Sequence, residues 1–167
     1  MELSLLKEGD PRLNLPGTSW DFEKDGDPTE LVAALCKTLL ASGGVGLAAT
    51  QCDVQKNIFV MGNFTSMFAC INPQIVSLSP EVELDLEGCL SFPDLWLRVK
   101  RNAKCTVRFQ AINGTVEETE LTGLMARVFL HELDHLYGVT FDERSGELSL
   151  KMAKNKRIKD SKKKIRV

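Results

Sequence analysis

The chain predicts an α+β fold: mixed, mainly antiparallel β-sheets packed around a central helix that carries a His-Glu-x-x-His motif, plus an N-terminal helix and a basic C-terminal tail or helix. Three observations predict it. Leu31, Leu35 and Leu39 recur at helical spacing behind Asp27-Pro28. Between residues 57 and 121, short alternating or wholly apolar runs are separated by turn signals, the pattern of strands. Leu124, Val128 and Leu136 then return to helical spacing around His131 and His135, the only two histidines in 167 residues.

Each element has its local reason. Residues 1–26 read as irregular, with turn signals at Asp10-Pro11, Pro16-Gly17 and Asp25-Gly26. Asp27 is expected to cap the first helix, with Pro28 at its first helical position and Gly43-Gly44 as its stop. Asn57–Met61 and Phe68–Asn72 predict short buried strands, and Pro73 and Pro80 punctuate the next segment. Val82, Leu84 and Leu86 alternate with acids and predict a half-exposed strand. Leu95, Leu97 and Val99, then Cys105, Val107 and Phe109, predict two more strands with those residues inward. Asn113-Gly114 is a two-residue hairpin signal leading into Val116–Leu121. Gly123 precedes the histidine helix, Gly138 stops it, and Val139–Phe141 reads as extended. Glu147–Val167 predicts a polar, basic helix.

At 18.6 kDa the chain suits one domain, read as residues 1–148, with 149–167 as a basic extension. That extension holds nine Lys/Arg against one acid, while the remaining residues carry a net charge of −10. A basic tail on an acidic body points to an anionic partner, nucleic acid being the usual one. No apolar run reaches membrane-spanning length and the N-terminus lacks a signal pattern, so a cytoplasmic protein without a membrane partner is expected. Five scattered cysteines (36, 52, 70, 89, 105) predict free thiols, most of them packing residues.

On a helix His131 and His135 share one face, Cβ atoms roughly 5–6 Å apart. Two imidazoles so placed can hold one divalent metal ion, and Glu132 can move protons to and from a water that the metal activates. A catalytic site of this type needs a third protein ligand. Phe141 stands where the elongated protease pattern would place a third histidine, so Glu143, Glu147 or a cysteine remain. Cys89, between Gly88 and Leu90, is the leading cysteine. The run Gly44–Gln51 is rich in small residues that let a ligand approach backbone groups; it lacks the third glycine of a dinucleotide fingerprint.

Three ordered runs, Gly44–Gln51, Glu87-Gly88-Cys89-Leu90-Ser91 and His131-Glu132-Leu133-Asp134-His135, closely resemble the motifs of the peptide deformylase family, and Asn72-Pro73, Pro93 and Gly138 add to the likeness. The resemblance implies hydrolysis of the N-formyl group from the formyl-methionine that begins a new polypeptide, releasing formate. It implies that Cys89, His131 and His135 hold one divalent ion (natively Fe2+, replaceable by Zn2+, Ni2+ or Co2+) and that Glu132 is the general base. Gln51 and the Leu90 backbone N–H would stabilise the oxyanion, and Glu87 would fix the site by hydrogen bonds. Val45, Gly46, Leu124, Arg127 and Val128 would meet the substrate. The resemblance further implies ribosome binding by residues 149–167. Two positions depart from it. Leu130 stands where a glutamine is usual, with loss of a hydrogen bond expected. Arg127 stands where an apolar lining is implied, and is expected to rim the pocket and pair with acidic peptides. The competing enzyme class is a metallopeptidase that cleaves ordinary peptide bonds; the non-enzymatic alternative is an RNA-binding protein with a structural metal.

Overall fold

The computed structural model describes residues 3–165. Helix α1 spans Thr29–Ser42 and is followed by β1 (Gly46–Ala48), β2 (Ile58–Gly62), β3 (Met67–Leu78), β4 (Val82–Cys89), β5 (Phe92–Asn102), β6 (Lys104–Gln110) and β7 (Val116–Thr122). Helices α2 (Gly123–Leu136) and α3 (Glu147–Ile165) close the chain. The strands form a five-stranded antiparallel sheet in the order β1-β2-β3-β6-β7 and a separate antiparallel ribbon, β4-β5. The fold is α+β with antiparallel sheets and three helices.

The run Ile58-Phe59-Val60-Met61 is apolar throughout because β2 is covered on both faces. Phe59 and Met61 join a cluster with Phe129 and Leu133 of α2, while Ile58 and Val60 pack with Leu35 and Leu39 of α1. A third cluster lies under the ribbon, where Leu95, Leu97 and Val99 meet Phe141 and the inner side of α3 at Leu150 and Ala153. Every residue from Ala126 to Leu136 is buried. A helix enclosed on all sides must pair each polar side chain internally, and this requirement shapes the site it carries.

Several boundaries differ from expectation. Helix α1 starts one residue late, with Pro28 as the capping residue, although Asp27 still accepts hydrogen bonds from the Thr29 N–H and hydroxyl. Strand β3 runs through Pro73: Asn72 takes a left-handed φ of 51° and the register shifts between Ile71 and Gln74, so the proline falls where the ladder is already interrupted. Val82, Leu84 and Leu86 are more than half exposed, because β4 belongs to a two-stranded ribbon whose outward face is not covered by any element among the described residues. The β6–β7 loop spans residues 111–115 in place of a two-residue turn. It is closed by the Ala111 N–H donating to the Thr115 carbonyl, with Asn113 accepting from Thr115 and Gly114 at φ 82°. Gly123 lies inside α2 as its first residue, and Phe141–Arg144 is a 3-10 turn. In α3 the segment is anchored: Arg157 donates two hydrogen bonds to Glu8 and one to the Pro93 carbonyl. No helix among the described residues is long and apolar enough to cross a membrane.

Candidate metal centre

His131 and His135 project from α2 with ring centroids 5.0 Å apart. Cys89 ends β4, where a register shift after Glu87 turns the chain into β5, and its Sγ lies 3.3 Å from His135 Nε2. One ligand atom from each of Cys89, His131 and His135 lies within 4.8 Å of the others. Two ligands at bonding distance from one tetrahedral zinc-type ion would lie roughly 3.5 Å apart. Glu132 Oε2 and His135 Nδ1 are buried without a hydrogen-bond partner among the described residues. The donor set, its spacing and the unpartnered Glu132 oxygen beside it fit a divalent cation. Glu143 is engaged elsewhere, accepting from Thr140 and Asn14, and Cys89 is the residue whose ligand atom lies with those of both histidines.

The electrostatics favour positive charge at this point. Burial pulls the His131 imidazole down, but hydrogen bonds to Cys89 and Glu87 outweigh it and push the pKa up to about 10. Acceptors that hold a proton so firmly also favour a cation. Burial together with the neighbouring His131 charge depresses His135 well below the ordinary value. Burial also lifts Glu132 to about 7, the range in which a carboxylate can both take and return a proton near neutrality. Glu87 goes the other way: burial opposes its charge, but His131 and Arg101 hold it down at about 2.

Gln51 sits in a 3-10 turn directly after β1. Its Oε1 accepts from the Ala48 N–H at 2.9 Å, and its Nε2 donates to Ser91 Oγ at 3.1 Å and faces Cys89 Sγ at 3.5 Å. The amide is therefore held with its donors toward the thiol. Gly46 leaves room for the carboxylate, since a Cβ there would lie 2.4 Å from Glu132 Oε1. Val45, Gly46, Leu124, Arg127 and Val128, together with Trp96, line a cleft of about 620 Å³ that also includes Gln51, Cys89, Leu90, His131 and Glu132.

One expectation needs correcting. Arg127 does line the cleft, but its guanidinium is directed at the protein itself, with hydrogen bonds to Glu87 Oε1 (2.9 Å), the Val99 carbonyl (2.8 Å) and the Glu83 carbonyl (2.9 Å). A buried cation so bonded is not free to pair with acidic peptides. Leu130 joins the apolar cluster under the five-stranded sheet.

Residues missed in the sequence complete the site. Arg101 forms a fork on Glu87 (2.9 and 3.1 Å) and reaches Asp134 at 2.5 Å, and Arg144 pairs with both Asp134 oxygens. Glu87 in turn bonds His131 Nδ1 at 2.9 Å, which directs the other ring nitrogen toward Cys89. Thr50 Oγ1 donates to the His135 carbonyl. One signal was available: Arg101 has the same strand parity as the inward-facing Leu95, Leu97 and Val99, and a charge at a buried parity needs a buried partner.

This scaffold and site define a hydrolase of the metal-dependent kind, with a cysteine sulfur, two imidazoles and a buried glutamate beside an open cleft. The profile of the polypeptide deformylase family matches residues 3–151. A peptide deformylase of Thermotoga neapolitana is 42% identical over 113 residues, covering 68% of this chain and 69% of the relative. The structure of a Synechococcus elongatus peptide deformylase in complex with actinonin is similar with a TM-score of 0.87 at 32% identity, covering 93% of this chain and 85% of that one. The Met-Ala-Ser-bound class I type b peptide deformylase of Acinetobacter baumannii gives 0.80 at 31% identity, covering 86% and 98%. The chain belongs to the polypeptide deformylase family. It is an enzyme that removes the N-formyl group from newly made polypeptides by hydrolysing an amide bond.

Proposed function

We propose that Cys89, His131 and His135 hold one divalent ion, natively Fe2+, with Zn2+, Ni2+ or Co2+ able to replace it, and that Glu132 is the general base. The observation that carries this reading is the convergence of the three ligand atoms within 4.8 Å beside a carboxylate raised to about 7. A thiolate with two imidazoles suits zinc or ferrous iron, and the family resemblance favours iron. Such an ion supplies Lewis-acid chemistry, lowering the pKa of a water and polarising a carbonyl.

The chain's own residues do the rest. Glu132 takes a proton from the attacking water and returns it to the departing amine. Gln51 Nε2 and the Leu90 backbone N–H donate to the oxygen that gains negative charge as the formyl carbon is attacked. Strand β1 is the edge of its sheet, so Gly46 can offer backbone groups to a substrate lying alongside as an added strand. Val45, Leu124 and Val128 offer apolar contact to the methionine side chain, and Arg127 closes that wall.

Residues 1–148 form the catalytic unit in this reading, and 149–167 a basic extension that binds ribosomal RNA in the cytoplasm. Since Leu150 and Ala153 pack inward and Arg157 holds Glu8, the segment offered to RNA is the lysine-rich outer half of α3. Removal of residues 159–167 should abolish salt-sensitive co-sedimentation with ribosomes, because phosphate contacts release counterions. Unchanged co-sedimentation at low salt removes the proposal.

The catalytic reading is tested by formate release from formyl-Met-Ala-Ser under anaerobic iron loading. Glu132→Ala should lower the rate at least 100-fold, in line with the roughly 10²–10⁴-fold contribution of a general base. Equal rates for the two proteins would overturn the mechanism.

A further inference from the structure

Arg127 joins three points of the β4–β5 ribbon to the helix that bears both histidines. Its Nη1 donates to Glu87 Oε1 and to the Val99 carbonyl, and its Nη2 to the Glu83 carbonyl. Glu83 and Glu87 lie on β4, two residues or more before Cys89, and Val99 lies on β5. The other oxygen of Glu87 bonds His131, one helical turn beyond Arg127.

Charge alone does not account for this arrangement, because the fork of Arg101 already neutralises Glu87. What differs is where each arginine fastens the ribbon. Arg101, on β5, is tied to α2 at Asp134, whereas Arg127 reaches out from α2 seven residues earlier. Seven residues of helix span about 10 Å. Without Arg127 the ribbon would be tied to the helix only at His131, through Glu87, and beyond it, through Arg101 and Asp134. Arg127 adds a tie one turn before His131, so that the ribbon is held on both sides of it and Cys89 keeps its position relative to the histidines. The planar guanidinium suits this role, since it bonds a carboxylate and two carbonyls at once, which a lysine ammonium on a flexible stem matches poorly.

We propose that Arg127 is a positioning residue for the metal centre: it holds the strand carrying Cys89 in register with the helix carrying His131 and His135, so that retention of the ion depends on it. The inference rests on those three residues holding a metal. Competition between the protein and a chelator for Co2+ tests it, with the near-ultraviolet thiolate-to-cobalt band as a direct view of Cys89. Arg127→Met should bind Co2+ about 10–100-fold more weakly, the usual effect of losing a partner that orients a ligand, and show a diminished thiolate band. Arg127→Lys restores the charge without the fork and should remain about fivefold weak or worse. Val107→Ala, buried in the other sheet, should lower thermal stability while leaving Co2+ affinity unchanged. The inference falls if Arg127→Met binds within twofold of wild type, if Arg127→Lys binds as wild type does, or if Val107→Ala weakens binding equally. Failure of the wild type itself to hold Co2+ sinks the metal reading along with it, whereas tight wild-type binding with unchanged Arg127 variants sinks this inference alone.

Discussion

Glu87 Oε2 and His131 Nδ1 lie 2.9 Å apart, joining the strand that ends in Cys89 to the helix that bears the other two candidate ligands. The same carboxylate takes Arg101 and Arg127 on its two oxygens and is almost fully buried. Glu87→Gln keeps the shape but leaves two buried guanidiniums facing a neutral group. Loss of one partner from a buried pair costs about 3–5 kcal/mol. Urea unfolding should report a loss of that order, and metal content after dialysis should fall. A variant as stable as wild type would mean that the carboxylate is dispensable to the buried network.

Gly46 and Glu132 form a second close pair. A methyl group at position 46 would sit 2.4 Å from Glu132 Oε1, and burial leaves that carboxylate little room to retreat. Gly46→Ala should lower kcat for formyl-Met-Ala-Ser at least tenfold and cost about 1–3 kcal/mol by overpacking. Adding Glu132→Ala to Gly46→Ala should recover most of that stability, though not activity. No recovery in the double mutant would place the damage in the backbone of β1.

The raised pKa of Glu132 has a consequence for stability against pH. Its folded value of about 7 lies above the ordinary 4.5. The fold therefore binds this proton more tightly than the unfolded chain, and the contribution is full below 4.5 and lost as pH rises through 7. In chelator-treated protein, wild type should lose on the order of 3 kcal/mol relative to Glu132→Gln between pH 4.5 and pH 8. Added Zn2+ should flatten that difference, because a nearby cation favours the carboxylate. Parallel stability curves for the two chelated proteins would refute the burial argument.

Gly138 ends the histidine helix with φ 73°, and a Cβ there would meet the Asn14 carbonyl oxygen at 2.6 Å. Gly138→Ala combines a left-handed backbone with a contact against main chain that cannot swing aside. Together these should cost about 2–4 kcal/mol in thermal or urea unfolding. A cost below about 1 kcal/mol would show that the loop from Asn14 to Leu15 yields easily.

Much of the scaffold was legible because it rests on short-range chemistry. The i, i+4 leucines of α1, the inward parity of Leu95, Leu97 and Val99, and the glycine after α2 all act within a few residues of themselves. Where expectation failed, a longer-range partner prevailed. Asn72 bonds Trp20 and Gln110 and carries β3 past Pro73. The apolar residues of β4 stay exposed because, among the described residues, no layer covers the outward face of the ribbon. Arg127, read as a charge at the pocket rim, instead finds three acceptors on two strands.

By itself the sequence determined the histidine helix, the glutamate on it, the presence of several β-strands, and three motifs whose order points to one family. Their spacing was enough, since periodicity and residue chemistry operate locally. Only the tertiary structure decided that Cys89, 46 residues before His135, stands 3.3 Å from it, and that Glu87, Arg101, Arg127 and Asp134 form one buried network. Those relations depend on strand register and on how the ribbon lies against α2. Burial then enforces them, because each charge removed from water must find its counterpart there.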